Sequence, residues 1–254
     1  MRGSRDHRDP RTRRATRGPR RSRCRYEQER LTCLDPPLDA AYPCCSLIPS
    51  PAVPDPKNDS RLHELRELLQ ERSIAKGDFV LTSGARSHYY CDTKATVLSP
   101  RGSRLIGEAL CEQLRPFAVD AVGGPEVGGA YLATAASVAS DLDGRPLFGF
   151  LVRNKAKGHG TSARIDASYH PDGRKLIVAG RRVAVVDDVV TSAGSILRAI
   201  EAVEAEGCEV AAVSAVVDRQ EGGGDRLRSL GYDFRPLFVA DSEGDLTLYS
   251  GDGR

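Results

Sequence analysis

With 254 residues and a formal net charge of +2, the chain is long enough for one sizeable domain plus an appendage. The small net charge conceals a split: residues 1–57 carry 13 Lys and Arg against 7 Asp and Glu, leaving 24 basic against 28 acidic residues in the remainder. A mildly acidic body argues against a nucleic-acid surface, and no apolar run approaches the ~20 residues that span a bilayer.

Residues 1–57 are Arg-rich to about residue 30 and then Pro-rich, with no hydrophobic period. They are expected to form a disordered extension, with the folded domain at 58–254. Three other readings of the extension stay open. One is a transit peptide, against which Asp6, Asp9, Glu27 and Glu29 weigh. The others are a basic arm that touches nucleic acid and a run added by a start codon placed too far upstream. Cys24, Cys33, Cys44 and Cys45 fall in the extension and Cys91, Cys111 and Cys208 in the body, with no C-x-x-C spacing. The scattered body thiols read as small core residues in a reducing, cytoplasmic setting, without a zinc site.

The body opens with Leu62, Leu65, Leu68 and Leu69 at helical spacing, and Asn58, Asp59 or Ser60 can cap that helix. An extended segment with a turn is expected at 79–90, then a second helix from Pro100 to about Leu114. Strand and helix patterns alternate afterwards: strand 118–122, helix 127–139, strands 147–152 and 183–186, helix 196–205 and strand 210–217. That alternation implies an α/β fold with a parallel sheet and right-handed crossovers. The polar stretch between Leu151 and Arg181 has no clear period, and loops of that length are usually functional.

The most informative segment is 182–197, R-V-A-V-V-D-D-V-V-T-S-A-G-S-I-L. An apolar strand leads to Asp187 and Asp188, and a small, hydroxyl-rich loop then opens a helix. Ligands of open α/β sheets bind beyond the carboxyl ends of the strands. Unpaired N–H groups at a helix start suit a phosphate, while paired acids suit sugar hydroxyls that need acceptors. Together they describe a site for a phosphorylated ribose. No G-x-x-x-x-G-K-[ST] accompanies the acids, which argues against a P-loop nucleotidase, and G-x-G-x-x-G is also missing. Two solvated acids at a strand end remain the plain alternative.

This segment resembles the phosphoribosyl-pyrophosphate (PRPP) signature of type I phosphoribosyltransferases. Four more segments resemble motifs of the orotate phosphoribosyltransferases within that family. Residues 79–92 contain the Ser83-Gly84 turn, Ser87 and the pair Tyr89-Tyr90; one of two adjacent strand aromatics can stack on a base while the other packs. Residues 153–160 place Arg153, Lys157 and His159 on a glycine-flanked loop that could close over a polyanion, although charge runs are often just solvated. Residues 216–223 include Arg219, whose guanidinium fork matches a carboxylate, with an Asp218–Arg219 surface pair as the bland alternative. Residues 123–129 resemble the family's pyrophosphate loop. Thr82, Gly128 and Asn154 stand where members often carry Lys.

The resemblance covers roughly residues 60–235. It implies a type I phosphoribosyltransferase-like parallel sheet flanked by helices, with a small N-terminal hood segment. It implies transfer of phosphoribose from PRPP to orotate, giving orotidine 5′-monophosphate and pyrophosphate, with Mg²⁺ held mainly through PRPP rather than by direct protein ligands. Lys157, Arg153, Asp187 and Asp188 are then the expected catalytic residues. PRPP contacts are expected from Arg153, Lys157, His159, Asp187, Asp188, Val189, Val190, Thr191, Ser192, Ala193, Gly194 and Ser195. Orotate contacts are expected from Tyr89, Tyr90, Thr191 and Arg219. The family's cationic loop serves the neighbouring subunit, so a homodimer with shared sites is implied, with neither nucleic acid nor membrane as partner. Two alternatives stay open: a transferase for another base, and a non-catalytic PRPP-sensing regulator. Lys157, and the lack of a helix-turn-helix pattern in 1–57, argue against the regulator.

Overall fold

The computed structural model describes residues 59–80, 86–154, 164–167, 175 and 177–251. The extension at 1–57 lies outside the described residues, as do Thr82, Lys157 and His159. Helix α1 (Ser60–Ser73) begins where a side chain caps it: the Asp59 carboxylate accepts from the Arg61 N–H at 2.9 Å. Asp59 is therefore the cap among the three candidates. Leu65 and Leu69, one turn apart, are fully buried. Strands β1 (Ile74–Val80) and β2 (Arg86–Cys91) pair antiparallel, so the extended segment begins five residues earlier than the pattern suggests.

A one-turn helix, α2 (Lys94–Val97), follows; four residues are too few to carry a period. Helix α3 (Pro100–Leu114) has Pro at its start and the Ser99 hydroxyl accepting from the Gly102 N–H at 3.1 Å. Ala118 then takes a left-handed conformation (φ 48°), which delays the next strand to β3 (Ala121–Pro125). Helix α4 (Gly128–Leu142), β4 (Phe148–Val152), β5 (Ile165–Ala167) and β6 (Arg182–Val190) come next. Helix α5 (Gly194–Ala205), β7 (Glu209–Asp218), α6 (Gly223–Ser229), β8 (Phe234–Ala240) and β9 (Leu246–Leu248) complete the described order.

The large sheet runs β5-β4-β3-β6-β7-β8-β9. Its five central strands are parallel, as the strand–helix alternation demands, whereas β5 and β9 pair antiparallel at the two edges. The sheet is therefore mixed. Short edge strands can return by direct connections and need no crossover helix. Side chains alternate along β6: Ala184 and Val186 join Leu65, Leu105, Leu110 and Leu132 on one face, while Val183 and Val185 join Ile196, Ile200 and Leu227 on the other. Each fully buried Leu or Ile contributes on the order of 1.5–3 kcal/mol. Two apolar layers thus hold the sheet between α1, α3 and α4 on one side and α5 and α6 on the other. Among the described residues, no helix is long and apolar enough to cross a membrane.

Candidate active site

Strand β6 runs through both acids to Val190, so Asp187 and Asp188 belong to its last turnward residues rather than to the loop beyond it. Asp187 is only 4% exposed. Its Oδ2 accepts from the Ser195 hydroxyl at 2.7 Å and its Oδ1 from the Asp188 N–H at 3.0 Å. Burial pushes this carboxyl up to about 7, the Ser195 hydrogen bond works against that rise, and the Asp188 charge adds to it. Asp188 reaches other partners: its Oδ2 accepts from the Thr93 hydroxyl at 2.8 Å and its Oδ1 from the Val189 N–H at 2.9 Å. Thr93 is fully buried just ahead of α2. No local pattern points to it, because its partner lies 95 residues away.

Beyond β6, Thr191, Ser192 and Ala193 lead into α5. Ala193 is left-handed (φ 62°) and offers no capping side chain, so the first turn of α5 keeps donors for an anion. The loop is seated from below: the Gly223 N–H donates to Thr191 O at 2.8 Å, and a Cβ on Gly223 would fall 2.3 Å from that oxygen.

Asp187, Asp188, Val189 and Ser195 share a cavity of about 350 Å³ with Lys94 and residues 125–128. This loop after β3 is glycine-rich for steric reasons. A Cβ on Gly124 would fall 1.8 Å from Val186 O, and one on Gly128 would fall 2.5 Å from the Asp188 carboxylate. A larger residue at 128 would require the Asp188 side chain to shift. The Glu126–Val127 peptide is cis.

Arg153 follows β4 and pairs with Asp166 on β5. Its charge is matched there, and it is not among the residues that form the cavity wall. Asn154 has a specific use: its N–H donates to the Glu126 carboxylate at 2.9 Å and its amide to Glu126 O at 3.3 Å, tying the start of the expected 153–160 loop to the loop after β3. Lys157 and His159, the other expected cations of that loop, lie outside the described residues.

A second cluster forms at the end of β7. Arg219 is 8% exposed, its Nε donating to the Tyr89 hydroxyl at 3.1 Å and its Nη2 to the Ser87 hydroxyl at 2.9 Å. The same Nη2 lies 2.9 Å from a Glu221 oxygen, and the guanidinium stands 4.4 Å from the centre of the Tyr89 ring. The tyrosines divide as adjacent strand residues must: Tyr89 is buried, whereas Tyr90 is 46% exposed and faces Phe79 at 5.8 Å. An Asp218–Arg219 surface pair does not form. Asp218 is buried and accepts from the Gln220 N–H at 2.9 Å, and the partner of Arg219 is Glu221.

The three described cysteines are free, and burial pushes the Cys91 thiol up to about 12, so it is inert. Among the described residues, no group of three or more His, Cys, Asp or Glu could hold a metal by itself. The donor set at the cavity is a row of carboxylates, Glu126, Asp187 and Asp188, which suits a hard cation that brings most of its own oxygen ligands.

Comparison with known proteins completes the site. A phosphoribosyl transferase domain family model matches residues 102–230. An orotate phosphoribosyltransferase from Rhodopseudomonas palustris is 39% identical over 176 residues, covering 69% of this chain and 92% of the relative. A solved orotate phosphoribosyltransferase from Mycobacterium tuberculosis, in complex with Fe(III) dicitrate, superposes with a TM-score of 0.61 at 35% identity, over 70% of this chain and 96% of that one. The same enzyme in complex with PRPP gives a TM-score of 0.56 at 30% identity, over 71% and 90%.

Proposed function

This chain belongs to the orotate phosphoribosyltransferase family of pentosyltransferases, and on that premise we propose how its own residues carry the reaction orotate + PRPP → orotidine 5′-monophosphate + pyrophosphate. The observation that carries the proposal is the pairing of two acceptors, buried Asp187 and part-buried Asp188, with the uncapped start of α5 across one cavity. The acids accept the ribose hydroxyls. The N–H groups of 191–195 cradle the 5′-phosphate, and 123–129 receives the pyrophosphate.

As the anomeric C–O bond breaks, the ribose gains oxocarbenium character and negative charge grows on pyrophosphate. Charges fixed in advance around the leaving group lower that barrier, provided that water is excluded. Arg153, Lys157 and His159 on the 153–160 loop supply this charge, with Arg153 exchanging Asp166 for the diphosphate. Asp188 and Glu126 would face a Mg²⁺ ion brought in with the diphosphate, and that ion would supply Lewis-acid stabilisation. Arg219 reads the orotate carboxylate, which takes the place now held by Glu221 at 2.9 Å. Thr191 and Tyr90 complete the base contacts, while Tyr89 backs Arg219. The working unit in this reading is a cytoplasmic homodimer whose cationic loops cross between sites. Its catalytic domain spans 58–254, with 1–57 as a dispensable extension.

The decisive assay offers purified protein PRPP, Mg²⁺ and, separately, orotate, uracil, adenine, hypoxanthine and nicotinate. Pyrophosphate release with orotate alone is the expected result; release with a different base and not with orotate overturns the assignment. The shared site is tested by mixing Lys157→Ala protein with Asp187→Asn/Asp188→Asn protein. Two inactive parents regain activity after subunit exchange, and confirmed exchange without activity refutes the crossing loop.

A further inference from the structure

The described wall of the cavity contributes three acids, Glu126, Asp187 and Asp188. Among its described lining residues, only Lys94 carries a positive charge. A donor with a diphosphate and a further phosphate is a polyanion, so these acids repel it unless cations face it. Lys94 is well placed for that task because the backbone beneath it is anchored. The preceding Thr93 is fully buried and donates to Asp188 at 2.8 Å. The Asp92 N–H donates to Ser73 O at 2.8 Å, and the buried Thr96 hydroxyl meets the Ser73 hydroxyl at 2.8 Å. The turn that carries Lys94 is thus fastened to α1 on one side and to the acidic strand β6 on the other.

The Lys94 side chain itself remains 49% exposed. Its Nζ sits 2.6 Å from Asp92 Oδ1, which also accepts the Lys94 N–H at 3.1 Å. An exposed ion pair of this kind is worth little and is readily exchanged for a stronger anion. An ammonium on a fixed turn is a good point charge for a phosphate oxygen.

We propose that Lys94 binds the diphosphate of the phosphoribosyl donor, held beside the cavity by Asp92 until the donor displaces that pair. The proposal rests on the phosphoribosyltransferase reading above. It assigns to α2, an element outside the motifs that mark this fold, a direct part in substrate binding.

The test is calorimetric titration of the full-length protein with Mg²⁺–PRPP, Mg²⁺–pyrophosphate and ribose 5-phosphate, without base, so that no turnover occurs. Lys94→Ala weakens PRPP and pyrophosphate by about ten- to hundredfold, as the loss of one charge-assisted hydrogen bond requires. It leaves ribose 5-phosphate within twofold, because that ligand lacks the diphosphate. Lys94→Arg restores most of the affinity for both diphosphates. The side chain is half exposed and its ion pair is superficial, so the melting temperature of each variant stays at the wild-type value. Pyrophosphate affinity unchanged in Lys94→Ala overturns the proposal, as does an equal loss for ribose 5-phosphate, which marks a structural role. In both cases the wild type still binds PRPP and the functional reading stands. A wild type that binds no PRPP overturns both.

Discussion

Strands β6 and β7 lie side by side, paired in parallel from Arg182↔Glu209 to Val190↔Asp218, and each leads an apolar run into two consecutive charged residues. The outcomes differ because the signs differ. At β6 the two like charges turn to different neighbours, Asp187 to Ser195 at the start of α5 and Asp188 to Thr93 beside α2. Hydroxyls and backbone N–H groups satisfy them, with no cation hydrogen-bonded to either among the described residues. Burial consequently pushes Asp187 up to about 7. At β7 the charges are opposite: buried Asp218 turns to the Gln220 N–H, and Arg219 reaches back to Ser87, Tyr89 and Glu221. Burial raises the Asp218 carboxyl as well, but the Gln220 N–H and nearby Arg228 oppose the rise. One strand end therefore offers acceptors, suited to sugar hydroxyls. The other offers a donor fork, suited to a carboxylate.

That division can be broken most sharply at Asp188. Asp188→Ala removes both acceptors on its side of the cavity, and kcat/KM for PRPP is expected to fall on the order of 10²–10³-fold. Thr93→Val, which removes only the hydrogen bond that orients Asp188, costs about tenfold. A steady-state assay in which Thr93→Val is as damaging as Asp188→Ala would show that Thr93 does more than orient the carboxylate.

The β7 side is addressed by Arg219→Lys, which keeps the charge and loses the fork. KM for orotate rises about tenfold or more while PRPP affinity changes little. If PRPP binding weakens by the same factor, the two strand ends do not divide the substrates as described.

A final effect concerns pH. Asp187 titrates at 3.8 when unfolded and at about 7 when folded, so its ionisation costs the native state free energy. Its contribution to stability is complete below about pH 4, is lost as pH rises to about 7, and is flat above that. Asp187→Asn removes this slope and leaves one acceptor in place of two. The melting temperature of wild type relative to Asp187→Asn therefore drops by roughly ten degrees between pH 4 and pH 8. Parallel profiles for the two proteins across that range would contradict the assigned titration.

Local chemistry was enough to determine much of this protein. The Leu period of α1, the Pro100 start of α3 and the alternation of apolar runs with amphipathic helices are all short-range patterns, and they specify the central sheet. The hydroxyl-rich run after Asp187 and Asp188 is equally local, so the acidic strand end and the helix start of the site were legible from residues alone. Even there the boundary moved: β6 continues past the acids to Val190 because it pairs with β7 along its whole length. Tertiary structure alone decided which distant groups meet. Thr93 finds Asp188 across 95 residues, and Lys94 lines the cavity only because α2 docks there. Tyr89 rather than Tyr90 turns inward because Arg219, 130 residues away, receives it. Gly128 packs closely against the Asp188 carboxylate, and the Asn154 amide reaches Glu126 O. The antiparallel edges β5 and β9 are three-residue strands too short for a periodic signal, and their neighbours define them. Periodicity and capping act over a few residues, whereas contacts between elements depend on how whole layers pack.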